Sequence, residues 1–137
     1  MLKEIVGYCQ LGFAAIGGAL GWFIGGLDGF LYALIAFVVI DYLTGLLAAG
    51  VQKKLSSEVG FKGIAKKIAI FLLVGIANII DVDVIQNGTA LRTAVIFFYL
   101  SNEGLSILEN AGNIGLPIPE KLKTMLAQLK DKEDDQK

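Results

Sequence analysis

Two long apolar stretches open the chain, and they predict two helices that cross a membrane. Residues 5–26 carry no charge, and Asp41 is the one charged residue within residues 29–51. At a rise of about 1.5 Å per residue, each stretch is roughly 33 Å long, which matches the hydrocarbon core of a bilayer. The short link at Asp28 and Gly29 predicts a turn that joins the two helices into a hairpin.

A third apolar stretch follows a lysine-rich segment. Residues 52–67 hold five lysines and one glutamate. The pattern predicts a basic loop at 52–63 and a third helix at 64–85. Lysines beside membrane helices are expected to determine topology and to meet lipid headgroups. The residues assigned to this role are Lys53, Lys54, Lys62, Lys66 and Lys67.

A fourth helix is predicted at 89–110, and its pattern is mixed. Arg92 and Glu103 are eleven residues apart, close to three helical turns, so both lie on one polar face, and the opposite face is apolar. Such a helix belongs beside water, either in a cavity within the bilayer or at its surface. Four membrane spans are expected, because they place the link at 81–88, which has no lysine or arginine, outside the cell. Three spans, with this helix at the surface or docked in an assembly, are the alternative.

The end of the chain changes character again. The stretch NIGLPIP predicts a rigid bend, followed by an amphipathic helix at 119–130 and a charged tail at 131–137. The apolar stripe of that helix is expected to contain Leu122, Met125, Leu126 and Leu129. The predicted fold class is thus an all-α integral membrane protein that forms a single domain over 1–137.

Lysine placement predicts the orientation. The basic loop is expected to face the cytoplasm, because loops rich in lysine and arginine stay on that side. Two spans precede this loop, so the N-terminus is expected to be cytoplasmic as well. With four spans, the C-terminus returns to the cytoplasm.

Composition supports a membrane protein and argues against several other classes. Apolar residues make up 55% of the chain, against about 45–50% in soluble domains. A net charge of −1 gives nucleic-acid binding no electrostatic support. One cysteine and no histidine exclude an internal disulfide and leave the usual zinc ligands missing. No nucleophile–base pair or phosphate-binding loop stands out, so no enzyme activity, cofactor or metal is predicted.

Small and acidic residues within the apolar stretches are the candidates for function. Glycines every four residues permit close helix approach, either of helix 1 on helix 2 or between copies of the chain. An ionised aspartate at a helix centre costs about 2.5–3.5 kcal/mol on insertion scales. Asp41 is therefore expected to be satisfied within one chain, with Asn78 as its nearest partner in depth, or to be sheltered between copies.

The candidate residues fall into two groups. The first is assigned to helix packing and oligomerisation, and the second is expected to be polar or pore-facing. The packing group is Gly17, Gly21, Gly25, Asp41 and Gly45; the polar group is Asn78, Asp81, Arg92, Tyr99, Glu103, Ser106 and Asn110.

The run VVIDYLTGLLAAGVQKKLSSEVGFKGIAKKI contains an Asp-Tyr-Leu-Thr-Gly motif at residues 41–45, a lysine-rich link with two serines, and two nearby glycines. The later run NEGLSILENAGNIGLPIPEKLK combines an acidic helix, a Leu-Pro-x-Pro bend and a basic helix. In this order and spacing the chain resembles the toxin secretion/phage lysis holin family, over roughly residues 25–130.

The resemblance implies a holin, which gathers as a homo-oligomer in the bacterial cytoplasmic membrane and forms lesions. An endolysin, or a large toxin in some relatives, then leaves the cell without needing to touch the holin. A non-conducting membrane scaffold or antiholin-like regulator is the alternative, and a narrow ion channel is a third reading. The expected partners are further copies of the chain and membrane lipid.

Overall fold

The computed structural model describes the backbone of residues 1–134 and the side chains of residues 1–125, 127 and 128. This part of the chain is helical throughout apart from short links and contains no strand, so the predicted all-α class is confirmed. The elements are α1 (Leu2–Ile24), α2 (Gly29–Val51), α3 (Ser57–Ile79), a π-helical segment (Ile80–Ile85), α4 (Ala90–Ile114) and α5 (Glu120–Asp134).

Three described helices are long and apolar enough to cross a membrane. They are α1, α2, and α3 together with the π-helical segment, and their mean hydropathies are 1.3, 2.2 and 2.4. The 25-residue helix α4 is not among them, because polar residues such as Arg92, Glu103 and Glu109 interrupt its apolar run. The chain is therefore a multi-pass membrane protein, and a fourth span stays a prediction.

Side-chain caps determine where α2 and α3 begin. The Asp28 carboxylate accepts a hydrogen bond from the Leu31 backbone N–H at 2.9 Å, and the Ser56 hydroxyl accepts one from the Val59 N–H at 3.2 Å. Such caps satisfy backbone donors that have no partner within the helix. Because Ser56 starts the helix, α3 already covers most of the predicted loop at 52–63, and the predicted start at residue 64 is too late.

Helices α2, α3 and α4 form a bundle in which α2 and α4 run parallel. Near their starts the rings of Phe30 and Phe97 lie 5.1 Å apart, and further along Asp41 accepts a hydrogen bond from Asn110. α3 lies against both helices in the opposite direction. The buried apolar core between the three helices consists of Leu31, Leu34, Val38, Ile70, Val74 and Ile96.

Helix α1 contacts this bundle at its C-terminal end, where it meets α3. Every residue of α1 is described, and none is buried. The backbones of α1 and α2 do not approach within 8 Å, so the predicted packing of a hairpin is wrong. The reason lies in the link, where Gly25 and Gly26 adopt left-handed conformations with φ of 94° and 93°, and in Phe23, whose ring packs directly over Gly75 of α3.

Helix α5 follows a bend and packs against α4. Gly115, with φ of 105°, ends α4, as left-handed glycines commonly do. Leu122 and Met125 are exposed, whereas the side chains of Leu126 and Leu129 lie outside the described residues, so the amphipathic stripe stays a prediction. The predicted tail at 131–137 belongs to α5 as far as Asp134, and 135–137 lie outside the described residues.

Candidate functional site

A buried ion cluster joins the three helices of the bundle. The Lys67 ammonium donates to Asp41 Oδ2 at 2.6 Å and to Glu103 Oε2 at 2.8 Å. The Lys67 side chain is 15% exposed and each carboxylate side chain 9%. Two formal negative charges therefore share one positive charge, and each of the three residues comes from a different helix.

Asn110 and Thr44 complete this group, named here the lysine cluster (Asp41, Thr44, Lys67, Glu103 and Asn110). The Asn110 amide nitrogen donates to Asp41 Oδ1 at 2.9 Å, to the Asp41 carbonyl at 3.1 Å and to the Thr44 hydroxyl at 3.0 Å. Both oxygens of the Asp41 carboxylate thus have a donor. The aspartate is tolerated in an apolar helix because it is paired and hydrogen-bonded within the chain.

The lysine cluster opens into a cleft between α2, α3 and α4. The cleft has a volume of about 680 Å³, within the range of about 300–1,000 Å³ that is usual for ligand pockets. Its walls are largely apolar, and the charged groups lie at one side. It is lined by Asp41, Tyr42, Gly45, Leu46, Val59, Gly63, Lys66, Lys67, Ala69, Ile70, Leu73, Tyr99, Asn102, Glu103 and Ser106.

A second polar group lies at the other end of the bundle, where α1 meets it, and centres on Arg92. The Arg92 side chain is 3% exposed. Its guanidinium donates to the Ile24 carbonyl at 2.7 Å, to the Gly26 carbonyl at 2.9 Å and to the Asp28 carboxylate at 2.7 Å. One side chain of α4 therefore satisfies the orphan carbonyls at the end of α1 and fixes the turn into α2.

Asn78 and Asp81 hold the neighbouring helix ends. The Asp81 carboxylate accepts from the backbone N–H groups of Leu91 at 3.1 Å and Arg92 at 2.7 Å, so it caps α4 from the π-helical segment. The Asn78 amide donates to the Phe23 carbonyl at 3.1 Å. Together with Arg92 and Asp28 these residues form the arginine cluster (Asp28, Asn78, Asp81 and Arg92).

Asp28 lies between two helices and titrates outside the apolar spans. The hydrogen bond from Arg92 lowers the pKa of its carboxyl below the ordinary value of 3.8, and the backbone bond from Leu31 lowers it further. The carboxylate is half exposed, at 47%. The Asp28–Arg92 ion pair is therefore present at neutral pH.

Asp41 is satisfied within one chain, but the predicted partner Asn78 is wrong. Asn78 bonds to the Phe23 carbonyl of α1, and Lys67 and Asn110 bond to Asp41 instead. Lys67 is assigned to lipid headgroups by the sequence pattern, yet its ammonium points inward to the lysine cluster. The sequence holds one signal of this inward position. Lys67 precedes Asn78 by eleven residues, the same spacing that places Arg92 and Glu103 on one helix face, so Lys67 lies on the face that carries Asn78.

The remaining candidates divide between the bundle and the exterior. Gly45 lies opposite the Asn110 amide, and Tyr99 and Ser106 line the cleft. A side chain added at Gly17 or Gly21 would meet nothing within 4 Å, so these glycines contact no other helix among the described residues. The other predicted topology residues, Lys53, Lys54, Lys62 and Lys66, are exposed.

The sequence matches the bacteriophage holin family over residues 18–131, a range that includes both polar clusters and the cleft. The chain belongs to this family. This membership agrees with the three apolar helices, which indicate a multi-pass membrane protein. No solved structure matches the chain.

Relatives with similar sequences come from Gram-positive bacteria and a phage. An uncharacterised protein of Listeria monocytogenes is 46% identical over 99% of this chain and 96% of its own length. An uncharacterised 14.9 kDa protein of Clostridium perfringens is 40% identical over 96% of this chain and 99% of its own. A protein of Bacillus phage phi105, described as a probable holin, is 40% identical over 66% of each chain.

Proposed function

We propose that the chain is a lesion-forming holin. In this proposal, copies accumulate in the bacterial cytoplasmic membrane, associate, and open a passage for a cytoplasmic endolysin or a large toxin. The observation that carries the proposal is the position of the charges. Asp41, Lys67 and Glu103 are withdrawn into the bundle, and the surrounding helix surfaces are apolar and exposed.

That arrangement supports a membrane protein whose polar groups are buried between its helices and whose outer surface is apolar. Lipid offers no hydrophobic drive for helices to associate, so close packing and polar contacts between copies must supply it. The cleft already separates parts of α2, α3 and α4 and brings polar groups toward its opening. If the helices part further during assembly, the polar faces predicted on α3 and α4 become available to line water.

We also infer that α4 is the fourth span and that both termini lie in the cytoplasm. α4 runs beside α2 from the Phe30–Phe97 contact to the Asp41–Asn110 contact. A helix that accompanies a span over this length occupies the same depth of the membrane. Its charged side chains Arg92 and Glu103 are buried in the bundle, and Glu109, near the end of the helix, is exposed.

The decisive experiment is co-expression in bacteria with an endolysin that has no export signal of its own. Culture turbidity is expected to fall abruptly after a delay, and only when both proteins are present. Normal growth with the protein confirmed in the membrane would refute lesion formation. An Asp41→Asn variant at equal expression is expected to shift the lysis time, and a Lys62→Gln variant, which changes an exposed charge, serves as the matched control.

One observation favours the alternative of a non-conducting regulator. The acidic side chains Asp41, Asp81 and Glu103 and the basic side chains Lys67 and Arg92 all have hydrogen-bond partners within one chain. When the charged groups are already hydrogen-bonded within one chain, polar contacts between copies contribute less to the free energy of assembly. Co-expression with an authentic holin distinguishes the two, because a regulator delays lysis whereas a lesion-forming protein advances it.

A further inference from the structure

Most of helix α1 and the opening of the cleft have no partner among the described residues of the same chain. α1 has no buried residue, and its side chains lie outside the bundle apart from the contacts at its C-terminal end. The cleft, in turn, is open between three helices. The arginine cluster fixes the C-terminal end of α1 so that the rest of α1 does not fill the cleft of its own chain.

Gln10 gives α1 an amide in the middle of a long uncharged run. The residues from Ile5 to Ile24 contain no charge, Gln10 is the one amide among them, and it is exposed. An amide facing hydrocarbon leaves two donors and an acceptor unsatisfied. Gln10 therefore indicates that this part of α1 meets a polar partner.

The depth of Gln10 can be compared with the lysine cluster because Arg92 contacts both Ile24 and Asp28 and so defines a common level. At about 1.5 Å per residue, Gln10 lies about 21 Å from Ile24 along α1. On the same scale Asp41 lies about 20 Å from Asp28, and Glu103 about 17 Å from Arg92. The three residues thus fall within about one helical turn in depth.

Copies that insert in the same orientation are related by movement within the membrane plane, which preserves depth. We propose that α1 of one copy docks in the cleft of the next copy and brings Gln10 to the lysine cluster. The cluster is rich in acceptors, with two carboxylates and one ammonium, so the amide N–H groups of Gln10 have suitable partners there.

This contact is heterologous, because an arm on one copy enters a cleft on another. Such contacts produce rings when the rotation closes and open chains when it does not. The proposal deepens the proposed function, since it rests on self-assembly, but it does not require that the assembly conducts. A regulator built on the same fold would use the same contact.

Cysteine cross-linking in bacterial membranes tests the docking without an endolysin. Native Cys9 lies next to Gln10 and is free and exposed, so the test keeps Gln10. Cys9 is combined with Ser106→Cys, which lies in the cleft about 21 Å from Arg92 along α4. Mild oxidation is expected to give a ladder of covalent multimers beyond the dimer. The matched control combines Cys9 with Leu43→Cys, which is 54% exposed and lies outside the cleft at a depth of about 22 Å.

The outcomes separate the possibilities. A ladder at least about fivefold stronger with Ser106→Cys than with Leu43→Cys supports docking in the cleft. Equal ladders, or no multimers from protein that is confirmed in the membrane, overturn it. Dimers through native Cys9, with no ladder in the Ser106→Cys variant, would show α1 pairing with α1 and would also overturn it. The cross-links are measured without lysis. Their result therefore does not depend on whether the protein forms lesions.

Discussion

Replacing Lys67 is expected to destabilise the bundle far more than replacing Asp41. Lys67→Met leaves two carboxylates whose bonded oxygens, at 2.6 and 2.8 Å from one nitrogen, are at most about 5.4 Å apart. Two unit charges at that distance repel by about 3 kcal/mol at an effective dielectric constant of 20. Removing one partner of a buried pair typically costs about 3–5 kcal/mol, and Lys67→Met is expected in that range.

Asp41→Asn should behave differently, although it alters the same contact. The remaining Lys67 and Glu103 form a pair of equal and opposite charges at 2.8 Å. The new side chain keeps one oxygen, which can accept from Asn110, but its amide nitrogen is a donor and cannot replace the Asp41 oxygen that accepts from Lys67. The expected cost is that of one lost hydrogen bond to a charged group, about 1.5 kcal/mol. A variant with Lys67→Met, Asp41→Asn and Glu103→Gln together is expected to recover part of the stability lost in Lys67→Met.

The free energy of unfolding is measured by titrating SDS into protein in mild detergent micelles and following helicity by circular dichroism. Lys62→Met is the control, because its side chain is 70% exposed and should change stability by less than about 0.5 kcal/mol. Equal losses of unfolding free energy in Lys67→Met and Asp41→Asn would refute the argument that the unbalanced charge is what destabilises Lys67→Met. A Lys67→Met variant as stable as the control would refute the buried cluster itself.

Three further predictions concern the end of the bundle that holds α1. Gly75→Ala places a methyl group against the Phe23 ring and should lower the free energy of unfolding by about 1–3 kcal/mol. A second change, Phe23→Ala, should recover part of that stability in the same titration. Gly25→Ala should lower the thermal unfolding midpoint in micelles, because φ is +94° and the new carbon would lie 2.8 Å from Arg92 Nε; an unchanged midpoint would contradict this turn. The pKa of Asp28 is lowered in the folded chain, so its stabilising contribution is present above about pH 4 and is lost as the pH falls through the folded pKa. Asp28→Asn should therefore reduce the fall in stability between pH 5 and about pH 3, and identical pH profiles would argue against the ion pair with Arg92.

The apolar pattern predicts the number of helices in the described chain because hydrophobic runs and turn residues are local signals. Asp28, for example, marks the link after α1 and caps α2. The partners of the buried charges depend on tertiary packing, which a single apolar run does not encode. Lys67 lies in a group of five lysines whose other members are exposed, so composition alone favours the lipid interface for it.

The position of α1 shows a second limit of local patterns. A short link between two apolar helices favours a hairpin, but the link contains Gly25 and Gly26 in left-handed conformations. The contacts that direct α1 away come from Asn78 and Arg92, more than fifty residues later in the chain. Glycine spacing in α1 predicts close approach by another helix, and among the described residues Gly17 and Gly21 have no such neighbour within 4 Å, so this stays a prediction.

The lysine cluster also constrains the order of biosynthesis. Asp41 leaves the ribosome 26 residues before Lys67, and Glu103 follows Lys67 after another 36 residues. During that interval α2 carries an unpaired carboxylate, a burden of about 2.5–3.5 kcal/mol for a newly inserted helix. Its high mean hydropathy of 2.2 offsets part of this cost until the later helices arrive. We therefore expect α2 to remain beside the insertion machinery until α3 emerges, so that the two helices enter the lipid together.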